Sequence, residues 1–325
     1  MSQIFEVRKA FKPYEYPKII SFKEAIQHSY WLVSEWNFMS DVQDFDTVLG
    51  ESEKNIIKNC LLAISQIEVS VKEFWGKLGE RFPKSEFKQV GYVFAESEVR
   101  HADAYSHLLD KLNLNADFEM ILQNPVIQGR IDYLTKYLKG ASQSSDENFT
   151  MNLSLFSLFI ENVSLFSQFL IIRSFNKHKN VLKDIDNVIS ATFREETIHA
   201  LLGTEIISYI KRENPDWFND DFYKKLGRAC HKAYAAEAKI VDWIFDGAEL
   251  DFITKDDVKE FIKYRFNESI VMIGGQPVFD IDKDILKNTQ WFIEEIVGNI
   301  NVDFFHKKSS NYSKKQKSFR EEDLF

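Results

Sequence analysis

Apolar residues recur every three or four positions through most of this chain, the period of a helix lying with one face on a core. Over 56–78, Ile57, Cys60, Leu61, Ile64, Ile67, Val71, Phe74 and Trp75 form one such stripe and predict a single long helix. Pro83 breaks the chain, and a second run predicts a helix over 87–109. A third stretch carries Leu153, Phe156, Phe159, Ile160, Val163, Phe166, Phe169 and Leu170 and is the most apolar; a fourth includes Val188, Ile189, Phe193, Ile198 and Leu202. Near the start, helicity is expected from Phe22 through Ala25, Ile26, Tyr30 and Trp31, behind an extended arm at 1–21 that contains Pro13 and Pro17. The acidic stretch 40–47 reads as a turn, after which Glu51 and Glu53 place negative charge at the positive end of the next helix. Later helices are expected within 217–247 and 255–273, with a last packed segment at 286–303. The pattern predicts an all-α bundle occupying 22–305.

Composition sharpens this picture. The 29 Phe, 12 Tyr and 6 Trp supply a large core, and only 6 Pro and 12 Gly interrupt it. A formal charge of -9 argues against direct, nonspecific nucleic-acid binding. No membrane attachment is expected, because polar residues divide the Phe-rich runs and no basic segment with an apolar signal core opens the chain. Cys60 and Cys230 are too few for a disulfide scaffold, which points to a reducing, cytoplasmic setting. From His306 the composition shifts to Lys, Ser, Asn and Gln, closing on an acidic and apolar end, so 306–325 reads as a flexible tail able to fold into a partner.

The candidate chemistry lies inside the apolar stripes. Glu98 and His101 are spaced to share one helix face, with Tyr105 a turn further on, and the spacing recurs at Glu196 and His199. Glu68 borders the first stripe, and Glu161 is the acidic residue inside the most apolar run. A carboxylate buried there is costly unless paired or bound to metal. Together Glu68, Glu98, His101, Glu161, Glu196 and His199 fit the ligand scheme of a four-helix dinuclear carboxylate site. Four carboxylates balance two divalent ions, and oxygen chemistry suits Fe or Mn better than redox-inert Zn. This inventory leaves a stand-alone dinuclear oxidase or desaturase, and a metal-storage or helical interaction protein, both open. Glu195 turns to a different azimuth and suits holding a ligand in place, with Arg194 as its expected salt partner. His107 has no matching acidic spacing and reads as a surface or packing histidine. Gly274-Gly275 marks a break, and Asp280, Asp282 and Asp284 read as a solvated turn because the rest of a calcium loop is missing.

The ordered set Glu68, Glu98-x-x-His101-x-x-x-Tyr105, Glu161 and Glu196-x-x-His199 resembles the radical-generating small subunit of class I ribonucleotide reductase. That resemblance covers most of the chain. It implies a ferritin-like fold, a homodimer, and a dinuclear centre of 2 Fe, 2 Mn or mixed Mn/Fe that is activated by an oxidant, with an oxidant-delivering activase as a further possible partner. The implied activity is ribonucleoside-diphosphate reductase, with nucleotides bound by a separate large subunit that the tail contacts. Tyr105 is the implied radical site, Trp31 the implied relay with Trp36 as runner-up, and Tyr312 the implied tail tyrosine. Two positions depart from the commoner family pattern: Glu68 and Glu195 stand where many members carry aspartate. The longer side chains bear on metal preference, and glutamate at the first position resembles members with manganese-containing centres.

Overall fold

A computed structural model of the chain describes residues 3–69, 71–140 and 145–305. These form helices joined by turns, with no strand among the described residues. The principal helices are α1 (Lys18–His28), α2 (Glu51–Glu68), α3 (Ser85–Lys111), α4 (Pro125–Gly140), α5 (Asp146–Lys179), α6 (Lys183–Glu213), α7 (Asp220–Phe245), α8 (Lys255–Met272) and α9 (Gln290–Phe305). Four of them close a ring: α2 packs on α3, α3 on α6, α6 on α5, and α5 on α2. Helix α1 covers α3 and α6, α7 and α8 back the other side, and α9 lies against α6. This is the ferritin-like bundle the sequence leads one to expect. The implied tail at 306–325, including Tyr312, lies outside the described residues.

Helix α5 is long and apolar enough to cross a membrane, contrary to the expectation that polar residues divide the Phe-rich runs too soon, yet its apolar window is wholly buried among its neighbours. Its middle is not α-helical. Phe156–Ser164 winds as a π-helix, with Ser164 Oγ donating to the carbonyl of Phe159 at 3.0 Å. Such segments shift the register of one face and recur at functional sites.

Two helix boundaries differ from the periodicity. Helix α1 begins at Lys18 rather than near Phe22, because Pro17 (φ -61°, ψ -28°) already holds helical geometry at its entry. It ends at His28, so Trp31 sits beyond it in a non-helical link. The predicted helix over 56–78 stops at Glu68 and resumes as short pieces at Lys72–Gly76 and Leu78–Arg81. The apolar stripe runs through this break, which is why spacing alone could not mark it. Gly91 of α3 lets the two segments meet: a Cβ there would stand 2.7 Å from the carbonyl oxygen of Trp75.

The acidic stretch 40–47 is a working part of the bundle, being helical over Met39–Gln43 and then a π-turn. Asp41 accepts the amide of Ile185 at 2.7 Å and Asp44 that of Leu182 at 2.9 Å, satisfying donors at the start of α6. His107 packs on Phe38 as expected, with ring centroids 5.7 Å apart. Asp282 accepts the amides of Asp284 and Ile285, which makes that acidic run a capped turn.

Candidate metal centre

The ring of four helices brings Glu68, Glu98, His101, Glu161, Glu196 and His199 together, each at most 1% exposed. Glu68 is the last residue of α2, Glu98 and His101 lie mid-α3, Glu161 falls in the π-helical stretch of α5, and Glu196 and His199 lie mid-α6. Glu98 presents one oxygen to each imidazole, 2.9 Å from His199 Nδ1 and 3.5 Å from His101 Nδ1. Glu196 does the same, 3.0 Å from His101 Nδ1 and 3.5 Å from His199 Nδ1. Glu161 closes the His199 side at 3.4 Å. The donor atoms fall into two groups, each within 4.8 Å: Glu98, Glu161, Glu196 and His199, and Glu68, His101 and Glu196. Glu196 belongs to both, as a carboxylate between two ions would.

The backbones must approach closely for this to happen. At Gly203, one turn beyond His199, a Cβ would overlap the side chain of Ser157 in the π-helical stretch. Glycine therefore lets α6 and α5 press together beside the cluster.

Charge is poorly balanced with protein atoms alone. Burial pushes Glu68 up to about 8, aided by the charges of Glu98 and Glu161. Burial also raises Glu196 well above the usual carboxylate range, and Glu98 and Glu161 add to it. For Glu98 burial acts upward as well, but the two imidazoles outweigh it and hold the group down to about 2. His199 is driven up to about 10, since Glu98 and Glu161 outweigh its burial. The oxygens of Glu98 and Glu196 and the Nδ1 atoms of both histidines have no properly directed hydrogen bond. Buried polar atoms are almost always satisfied. Oxygen and imidazole donors converging without such partners fit a pair of divalent first-row metals, and these are the atoms that would hold them.

The outward nitrogens are fixed by neighbours. His199 Nε2 lies 3.0 Å from Ser97 Oγ, whose own proton goes to the carbonyl of Phe94 at 2.8 Å, so in the neutral ring Nε2 keeps the hydrogen and Nδ1 is the atom left with a lone pair. His101 Nε2 lies 2.9 Å from Glu195. Glu195 is fully buried and also accepts from Ser29 Oγ (2.9 Å), from Trp31 Nε1 (3.2 Å), and from both ends of the Arg100 guanidinium (3.1 and 3.2 Å). Burial opposes its charge, but His101 and Arg100 outweigh that and keep it ionised. The expected partner Arg194 is exposed instead: it projects from the solvent side of α6, whereas Arg100 approaches from α3.

Tyr105 is buried and donates to Thr192 Oγ1 at 3.2 Å, and burial raises its phenol well above the ordinary value. The Trp31 ring lies parallel to that of His101, within 15° and with centroids 5.9 Å apart, and Trp36 packs against Trp31 with centroids 5.5 Å apart. Sequence reasoning missed Trp75, whose indole donates to Glu161 Oε1 at 3.0 Å, along with Ser97, Thr192 and Arg100. Arg100 carried a signal, lying between Glu98 and His101 on a helix with no room for an unpaired charge. The others look like ordinary core residues.

The chain matches the protein family described as ribonucleotide reductase, small chain, over residues 8–287. One relative is a probable ribonucleoside-diphosphate reductase small subunit of Invertebrate iridescent virus 3, 26% identical over 322 residues that cover 94% of this chain and 85% of the relative. Among solved structures, a putative class I ribonucleotide reductase from Bacillus halodurans aligns with a TM-score of 0.78 at 18% identity, covering 86% of this chain and 99% of that one. Dimanganese(II)-NrdF of Streptococcus sanguinis aligns with a TM-score of 0.72 at 18% identity, covering 87% and 99%. At such identities these structures speak for the fold alone.

Proposed function

Since this chain belongs to the ribonucleotide reductase small-chain family, we propose that it generates and stores the oxidising equivalent with which a separate large subunit begins reduction of ribonucleoside diphosphates. The observation that carries this reading is the pair of donor groups sharing Glu196, together with a buried phenol that donates to Thr192 and a buried indole tied to His101 through Glu195. Storage of an iron cargo alone would not call for either redox-active ring.

Glu68, Glu98, His101, Glu161, Glu196 and His199 would hold two ions of Fe, two of Mn, or one of each. When bound, the metal pair supplies oxidising power drawn from an external oxidant. Around it the chain controls protons and access. Tyr105 is held as a neutral phenol with its proton directed at Thr192, so removing its electron also requires removing that proton. Trp75 and Ser97 fix Glu161 and His199, while Glu195 fixes His101 and Trp31. Phe94, 4.4 Å from the His199 ring, and Trp75 keep water from that side. The chain functions as a cytoplasmic homodimer whose arm at 1–21 and helical domain at 22–305 end in a tail, 306–325, that docks on the large subunit and offers Tyr312 to the relay. Where manganese is the metal, an activase supplies the oxidant.

The deciding experiment is electron paramagnetic resonance on protein of known metal content, reconstituted with Fe, Mn or both, before and after oxidation. A tyrosyl signal that disappears in Tyr105→Phe at equal metal loading is the expected result. A coupled metal signal that persists in that variant would place the stored equivalent on the metals, and no oxidised species under any loading would refute the function.

A further inference from the structure

Trp31 and Trp36 are adjacent in space as well as near in sequence. One face of Trp31 lies parallel to the His101 ring, with centroids 5.9 Å apart, and Trp36 meets it 5.5 Å away at an interplanar angle of 56°. Trp31 is 4% exposed, whereas Trp36 is half-buried and reaches the surface. Three rings thus run from the inside of the bundle to solvent with no aliphatic gap between neighbours. From this arrangement we propose that Trp36 is a relay residue in series with Trp31, carrying the oxidising equivalent from the buried indole to the protein surface. The inference rests on the function proposed above and extends it by one residue.

The step is a one-electron exchange. Trp31, once oxidised, is restored by an electron from Trp36. The indole of Trp36 is left oxidised, loses its N–H proton to water, and is reduced in turn by a phenol or thiol donor presented at the surface. Water stabilises the oxidised ring at Trp36, and the Glu195 carboxylate that accepts the Trp31 N–H stabilises it at Trp31, so the exchange can run in either direction. Tyr30 is the other exposed ring nearby, at 52%, but the Arg100 guanidinium lies 4.6 Å over its face, nearer than the 5.6 Å at which it stands over Trp31, and opposes a positive charge there more strongly. The bland account, in which Trp36 only covers Trp31, predicts that any flat apolar ring would serve.

The test uses full-length protein loaded with redox-inert Zn(II), carrying a ruthenium photo-oxidant at an exposed Ser34→Cys substitution. Cys60 and Cys230 are buried and leave the new thiol as the reactive one. Flash oxidation should produce a tryptophan radical whose Trp31 component is the part absent in Trp31→Phe. In Trp36→Phe, formation of that component should slow by about tenfold or more; in Trp36→Tyr, which keeps an oxidisable ring, most of the rate should return. Trp31→Phe should leave the first oxidation, at Trp36, unchanged. Equal rates of Trp31 oxidation with Trp and Phe at position 36 would overturn the proposal. Because zinc takes no part, failure here is separable from failure of the functional reading: a working photochemical relay in a chain whose Fe and Mn forms store nothing would keep the relay and remove the function.

Discussion

Glu195 collects five donors on one buried carboxylate, so a change there should be felt at the metal rather than in the fold. Glu195→Gln keeps the shape but removes the charge that orients His101; metal affinity should fall about 10- to 100-fold, read by competition with a chelator, while the helical content stays. Unchanged affinity would deny Glu195 its positioning role. Protons give a second residue-scale prediction. Below pH 8, Glu68, pushed up to about 8, and His199, pushed up to about 10, both carry protons in the metal-free chain. Ligation requires them unprotonated, so loading should release a proton from each, and affinity should rise with pH up to about 10 and weaken toward acid. Calorimetry in buffers of different ionisation enthalpy measures this; a loading heat independent of buffer would contradict it. At this scale the Glu-x-x-His pairs were legible because i,i+3 spacing is a local property. Arg100 as partner of Glu195 was not, since two helices distant in sequence supply the two ends.

Among elements, the π-helical part of α5 is held from outside by a buried polar network. Arg130 of α4 donates to the carbonyls of Ala63 and Ser164 and pairs with Glu237 of α7, which also accepts from Tyr133 at 2.6 Å. Arg130 and Glu237 are both fully buried. Arg130→Met should therefore destabilise the chain by about 3–5 kcal/mol, because it strands the Glu237 carboxylate. Replacing Glu237 with Met as well should recover much of that loss. Chemical denaturation of the two variants checks it, and equal midpoints for single and double replacement would refute the explanation. Helix existence was readable throughout from apolar spacing, including the long runs of α3, α5 and α6. The break after Glu68 and the π-turns were not, because apolar residues continue at helix-like spacing through each of them and only the backbone hydrogen bonding marks the change.

For the molecule as a whole, four helices meet around charges that protein atoms alone leave uncompensated. Metal binding should therefore stabilise the folded state, by about 4 kcal/mol at free metal a thousandfold above the dissociation constant. The thermal midpoint should climb with Fe(II) or Mn(II) in the parent and hardly move in Glu196→Ala, whose carboxylate belongs to both donor groups; a midpoint indifferent to metal in the parent would count against the centre. By itself the amino-acid order determined the all-α class, the six candidate ligands and the buried tyrosine. Helical periodicity and the cost of burying a carboxylate are both set by neighbours within a few turns. The tertiary structure alone decided that Glu98 and Glu196 face both histidines, that Trp31 lies outside its helix against His101, and that Trp36 continues outward from it. Those are contacts between segments up to about a hundred residues apart, fixed by how the helices pack and how close glycine lets them come.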